Sequence, residues 1–326
     1  MRDHLAHRIY ARFDGTGLDC LCRGLLNQQL ETWDQLRQDY KILRDVKTRE
    51  ISSNSFSAII QHNPGRKTST TADTRQEAIE MRPCFLCIEN LPKDQKGILY
   101  KEYLILCNPA PVFYHHLTIN SISHMPQRID THIPHLLQLT KDLGTGWITL
   151  YNGPECGASA PGHLHFQAVP KGNTPLENEL EDKKSMNHLK DISKTSIYWK
   201  EGMGRGFFIL EGYDEGSLGS TSLRLFSALA TALKASGEPK MNIVCFEQDK
   251  KLMLCVFPRT KHRPDAFFKD GDNRITISPG TIEMAGVIVA PMERDFIRLD
   301  RQTLETIYKE VSVDKKIMEN VMDYLS

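Results

Sequence analysis

The chain has 326 residues, 40% of them hydrophobic, enough for one large domain or two fused halves with a substantial core. Its 41 basic residues balance 41 acidic ones, which excludes the strongly basic face of a nucleic-acid binder. The start, MRDHLAHRIYARFDG, has no apolar leader and no apolar run is long enough to span a bilayer, so the expectation is a soluble cytoplasmic protein with no membrane partner.

Residues 19–45, rich in Leu, Gln, Arg and Asp, predict a helix. SFSAIIQHNPGRKTSTTADTR reads as a short strand running into a polar loop. GILYKEYLILCNPAPVFYHHLTINS predicts two strands joined at Asn108–Pro111. DTHIPHLLQLTKDLG is a short helix that Asp130 or Thr131 can cap and Gly144 ends. GWITLYNG is a strand, followed by a small-residue loop and the run PGHLHFQAVP. The charged stretch Pro175–Lys194 reads as a linker or exposed excursion. RGFFILEG predicts a strand, STSLRLFSALATALKASG an amphipathic helix stopped by Gly, and KMNIVCFEQDKKLMLCVFPR a strand pair turning at Gln248–Lys250. A C-terminal helix begins near Arg301. Short strands mixed with helices, without strict βαβ alternation, predict an α+β fold. No P-loop is present, and GMGRGFF lacks the spacing and context of a dinucleotide fingerprint.

Eight cysteines in a chain this long are too few for a disulfide scaffold. Cys84 and Cys87, in RPCFLCIEN, stand close enough in sequence to grip one metal ion. A redox pair, half of a zinc site and coincidence all remain open for them. His124, in the loop after one strand, and His163, at the start of the next but one, would complete a Cys2His2 set; a solvated loop residue is the bland reading of His124. In PGHLHFQAVP the alternation of a strand places His163, His165 and Gln167 on one surface and Leu164, Phe166 and Ala168 on the other. A neutral imidazole attacks phosphorus well, and a phosphoramidate intermediate splits one displacement into two. Taken alone, though, this strand favours a core histidine bonded to a backbone carbonyl.

Asn152-Gly153, the loop GASAPG and His163-Leu-His165-Phe-Gln167 together resemble the active-site segment of the histidine triad superfamily. The resemblance is to its transferase branch, the galactose-1-phosphate uridylyltransferases, diadenosine tetraphosphate phosphorylases and GDP-hexose phosphorylases. It covers residues 80–170 in order: CxxC, strand pair, loop histidine, helix, strand ending in Asn, small-residue loop, His strand. SPGTIEMAGVIVAP and FPRTKHRP more faintly resemble the C-terminal half of the phosphorylases. The resemblance implies an antiparallel sheet with flanking helices in two tandem halves. The expected segments are a helical extension over 1–60, a catalytic half with a zinc site over 61–185, and a degenerate second half over 186–326.

The resemblance further implies that His165 is the covalent nucleophile and Gln167 the amide holding the phosphoryl oxygens. Cys84, Cys87, His124 and His163 would hold a structural zinc ion. Asn152 and Ser159 would lie against the phosphates, and Asn108 against the nucleoside. Four positions separate Ser159 from His163, where the uridylyltransferases usually have three, a spacing closer to plant-type GDP-hexose phosphorylases. Glutamine cannot titrate, so Gln167 helps no water lose its proton, yet it still donates a hydrogen bond. The expected activity is therefore transfer of a nucleotide from an NDP-sugar or dinucleoside polyphosphate to phosphate or a sugar phosphate. Arg66 and Lys67, and Arg259, Lys261, His262 and Arg263 in PRTKHRP, are the cations that could meet those anions. A homodimer is compatible with the family. The alternatives are a silent nucleotide binder and a dinucleotide hydrolase.

Overall fold

In the computed structural model, residues 5–53, 56–73, 77, 79 and 81–325 are described. The end of the expected polar loop, Thr74 and Arg75, lies outside them. The chain opens with β1 (Ile9–Arg12), α1 (Leu18–Thr32) and α2 (Asp34–Arg44), so two helices replace the one expected over 19–45. Trp33 between them is extended (φ −124°, ψ 98°) and buried. Seating its indole in the core breaks the helix where no Gly or Pro marks a stop. A hairpin of β2 (Lys47–Ser53) and β3 (Phe56–His62) leads to a single helical turn, α3 (Lys67–Thr70).

Next come β4 (Gly97–Tyr100), β5 (Tyr103–Cys107) and β6 (Leu117–Ser121), three strands where the sequence predicted two. The extra reversal falls at Lys101, which adopts φ 50° without any glycine to signal it. α4 (Ile133–Leu143) ends at Gly144, as expected, with φ 83°. β7 (Trp147–Asn152) and β8 (His165–Pro170) follow. The stretch expected to be a linker instead forms α5 (Pro175–Glu181) and β9 (Asn187–Ile192). Leu176 and Leu180, one helical turn apart, are both buried, and two apolar anchors suffice to dock this charged segment.

The second half runs β10 (Thr195–Gly202), β11 (Arg205–Gly212), α6 (Glu215–Ala232), β12 (Met241–Gln248) and β13 (Lys251–Pro258). It closes with α7 (Thr281–Met284), β14 (Val287–Ala290), α8 (Glu293–Arg298), α9 (Arg301–Val311) and α10 (Lys315–Tyr324). One eleven-stranded sheet is ordered β1-β4-β5-β6-β8-β7-β12-β13-β11-β10-β9. Reading outward from its middle, β7-β8-β6-β5-β4 and β12-β13-β11-β10-β9 are one pattern used twice: a three-strand meander, a helix, then a hairpin inserted beside the meander. The two copies meet back to back through antiparallel pairing of β7 with β12. A smaller sheet pairs β3 with β2 and, in parallel, with β14. β3 thus runs across residue 60 and shares a sheet with the far end of the chain.

α1, α2, α4, α6 and α10 cover one face of the large sheet, where Leu164, Phe166 and Ala168 join the core. The small sheet with α5, α7 and α9 covers the other, around Leu150, Val169, Val244 and Phe246. Among the described residues no helix is long and apolar enough to cross a membrane.

Candidate active site

Central strand β8 pairs with β6 on one side and β7 on the other, setting His165 opposite Asn120 and Gln167 opposite both Thr118 and Leu150. Side-chain alternation then puts His165 and Gln167 on one face, as the sequence predicted, at the wall of a cavity of about 390 Å³, while His163, expected beside them, precedes the strand and turns to Cys84 and Cys87 instead. Asn108, Asn152, Ser159 and Arg263 also line it, with Arg66, Arg82, His262, Thr281 and Glu283. The second half therefore contributes to a cavity that His165 and Gln167 of the first half also line.

His165 is buried, and its Nδ1 lies 2.8 Å from the carbonyl of His163. A carbonyl only accepts, so Nδ1 carries the proton and Nε2 keeps its lone pair. Burial lowers its pKa to about 4, so the ring is neutral at pH 7. Gln127, which the sequence reading left without a role, clamps the backbone here: its Oε1 accepts from the His165 N–H at 2.8 Å. Its Nε2 donates to the carbonyls of His165 and Asn152 at 3.0 and 2.9 Å.

The Gln167 amide is oriented by His116, also buried and also unforeseen. The backbone N–H of Val112 donates to His116 Nδ1 at 3.1 Å, so the His116 proton sits on Nε2, which donates to Gln167 Oε1 at 2.9 Å. Burial, then the nearby Arg66, lower the His116 pKa to about 3, which holds this neutral form. With its oxygen committed, Gln167 turns its NH2 toward the cavity.

Asn152 repeats the device at the end of β7. Its Oδ1 accepts from the Thr281 N–H at 2.7 Å and from Asn242 Nδ2 at 3.0 Å. Among the described residues no acceptor is bonded to its Nδ2. Asn108 is braced more locally, accepting from the Ala110 N–H at 2.9 Å and donating to Thr118 at 3.1 Å. Arg82 donates to the Ser159 carbonyl at 2.8 Å and holds that loop.

Two expected cations lie elsewhere. Arg259 is fully buried, and all five of its N–H donors go to protein acceptors: Val311, Pro279, Lys261 and His262 carbonyls and Asn242 Oδ1. Lys261 spends its ammonium on Asp265 at 2.5 Å and Glu310 at 3.5 Å, outside the cavity. Neither meets a ligand there. Both sit in a run of basic residues whose charges a sequence cannot sort into buried and facing. Arg263 reaches the cavity wall, braced on Ser278 at 2.9 Å and on the carbonyl of Ala72 at 2.9 Å.

Beside the start of β8, the candidate ligand atoms of Cys84, Cys87, His124 and His163 lie within 4.8 Å of one another. His163 Nδ1 is 3.3 Å from Cys84 Sγ and 3.6 Å from Cys87 Sγ, and His124 Nδ1 is 3.2 Å from Cys87 Sγ. Tetrahedral zinc, with bonds of about 2.3 Å to sulfur and about 2.0 Å to nitrogen, requires S···N edges of roughly 3.6 Å. His163 Nε2 meets the Ser121 carbonyl at 2.8 Å, which puts the proton there and leaves Nδ1 free to ligate. The donor set, spacing and tautomer all fit a metal ion.

The family described as "Domain of unknown function (DUF4922)" matches residues 25–170. None of the curated proteins matches the chain. Among solved structures, yeast Ap4A phosphorylase Apa2 is similar at 13% identity and a TM-score of 0.58, over 86% of this chain and 96% of that one. The same phosphorylase in complex with AMP gives 16% identity and a TM-score of 0.56, over 88% and 96%. In complex with Ap4A it gives 14% and 0.54, over 86% and 97%. The chain has the fold of this phosphorylase.

Proposed function

We propose that the protein is a nucleotidyltransferase that forms a covalent nucleotidyl-histidine on His165. The observation that carries this reading is the neutral His165, its Nε2 lone pair uncommitted at the wall of a cavity where Gln167 and Asn152 present amide donors. Nε2 attacks the α-phosphorus of an NDP-sugar or dinucleoside polyphosphate. The N–P bond forms as the bond to the bridging oxygen breaks, and the sugar phosphate or nucleotide leaves with that oxygen. The NH2 groups of Gln167 and Asn152 hold the non-bridging oxygens as charge builds on them. Arg66 and Arg263 offset the charge of the departing or incoming anion. Phosphate or a sugar phosphate, already anionic, then attacks phosphorus, the N–P bond breaks and the imidazole is restored. Water has no such advantage, because Gln167 cannot take its proton. A fold shared with a phosphorylase solved with AMP and with Ap4A supports a nucleotide as the bound group.

Cys84, Cys87, His124 and His163 would hold zinc in a closed, four-ligand structural site. Its chemistry there is cross-linking: it would tie the CxxC loop to the residue whose carbonyl orients the His165 ring.

Incubation with α-labelled NDP-sugars and Ap4A tests the proposal. The expected result is acid-labile, base-stable label on the protein, discharged by adding phosphate or a sugar phosphate. His165→Ala should abolish labelling and lower turnover by about 10³-fold or more, with the fold intact. Absence of label with every nucleotide, and hydrolysis at one rate with or without acceptor, would overturn it in favour of a hydrolase.

A further inference from the structure

A buried guanidinium with no carboxylate hydrogen-bonded to it is an uncommon way to spend a charge. Arg259 is such a group, lying behind β12 with every donor taken by a neutral oxygen. We infer that Arg259 and Asn242, both from the second half, are positioning residues that set which end of the Asn152 amide faces the cavity; this rests on the role of Asn152 proposed above.

The chain of orientation is forced by donor type. Arginine has no acceptor, so the Asn242 atom 2.6 Å from Arg259 NH1 is its oxygen. The Asn242 NH2 must then face the other way, where it meets the Cys156 carbonyl at 2.7 Å and the Asn152 side chain at 3.0 Å. Facing that NH2 and the obligate backbone donor of Thr281, Asn152 can present only its oxygen to them. Its own NH2 is thereby turned to the cavity, the one orientation that suits a phosphoryl oxygen. Asn242 and Arg259 are fully buried, so no water can substitute for either link. An amide left to itself would take either orientation at little cost. One direct consequence is a division of labour: the first half supplies the reacting group, and the second half supplies a fixed charge that polarises an amide aimed at the substrate.

Asn242→Asp tests this. The carboxylate keeps the link to Arg259 as an ion pair, while facing Asn152 and Cys156 with an acceptor in place of a donor. With an acceptor at position 242 opposing the Thr281 donor, the Asn152 amide is no longer held with its NH2 on the cavity. The expected result, with saturating nucleotide, is a fall in the rate of label transfer to His165 of about 100-fold, the size seen on removing one oxyanion donor. KM should move less than about threefold and the melting temperature should not fall. Arg259→Met, which frees Asn242 to invert, should give the same loss in kcat and is the second variant if the first does not fold. A folded variant of either kind that labels at the wild-type rate overturns the inference. Failure of the wild-type protein to label at all would instead overturn the nucleotidyltransferase reading, so the two failures are distinguishable.

Discussion

His116 and Gln167 show how a residue remote from the chemistry sets the polarity of the site. Gln167 can donate to an anion only while its oxygen is occupied, and His116 Nε2 occupies it at 2.9 Å. His116→Ala removes that donor and leaves the amide free to turn its oxygen toward the substrate. Transfer should slow by about 10- to 100-fold, with the nucleophile untouched, because one oriented donor is typically worth that much or more. Single-turnover labelling measures it, and an unchanged rate would show that Gln167 is held by something else. His116 was legible in the sequence only as the second residue of a His-His pair before a strand. What marks it is the Val112 N–H on its Nδ1, a contact made by a turn that no spacing rule announces.

The hairpins at the centre of the sheet explain why the proposed chemistry falls to one half. In the first half, residues 153–164 separate β7 from β8, and that loop brings Ser159 and His163 to the site. In the second half, β12 and β13 are joined tightly through Asp249 and Lys250, at φ 51° and 64°. β13 offers Met253, Cys255 and Phe257 on the face where β8 offers its His and Gln. A loop long enough to reach back to the CxxC segment needs an anchor, and the four Cys and His side chains would provide one with a metal ion bound. Purified protein should therefore contain one zinc per chain by elemental analysis. Cys84→Ser should lower zinc affinity at least about 100-fold, more than the loss of an outer-shell partner, and melt earlier. A wild-type protein without zinc after metal-replete expression would exclude the site.

At the scale of the whole molecule, the two copies are held in register by more than the β7–β12 pairing. Glu238, in the connection from α6 to β12, accepts from Tyr151 Oη and from the Ile129 N–H, each at 2.6 Å. Ile129 lies two residues from the Gln127 clamp on His165. Burial raises the Glu238 pKa to about 7 from 4.5. The folded state thus holds a proton that the unfolded state gives up between pH 4.5 and 7. Its contribution is fully present below 4.5 and is lost as pH rises through 7, at a cost of order 3 kcal/mol. Buried His116 and half-buried His262 pull the other way, with pKa values lowered to about 3 and about 4, largely by desolvation. Subtracting Glu238→Gln from wild type isolates the carboxyl: urea midpoints should show the wild type losing ground relative to the variant from pH 5 to 7.5. Parallel curves would mean that Glu238 titrates normally.

By itself the sequence determined the alternation that puts His165 and Gln167 on one face, the order of CxxC, loop histidine and His strand, and the α+β class. Each of these is local or ordinal, read from period and spacing. The break at Trp33 and the docking of 175–192 were decided by what those residues bury, and the reversal at exposed Lys101 by what the strands on either side of it bury; burial depends on partners far away in the chain. The same holds for the cations. Arg259 and Arg263 are four positions apart in one basic run, yet one is enclosed by carbonyls behind β12 and the other lines the cavity. The orientations of Gln167 and Asn152 were settled last of all. An amide has two ends of nearly equal shape, and only the tertiary arrangement of obligate donors around it says which end the substrate will meet.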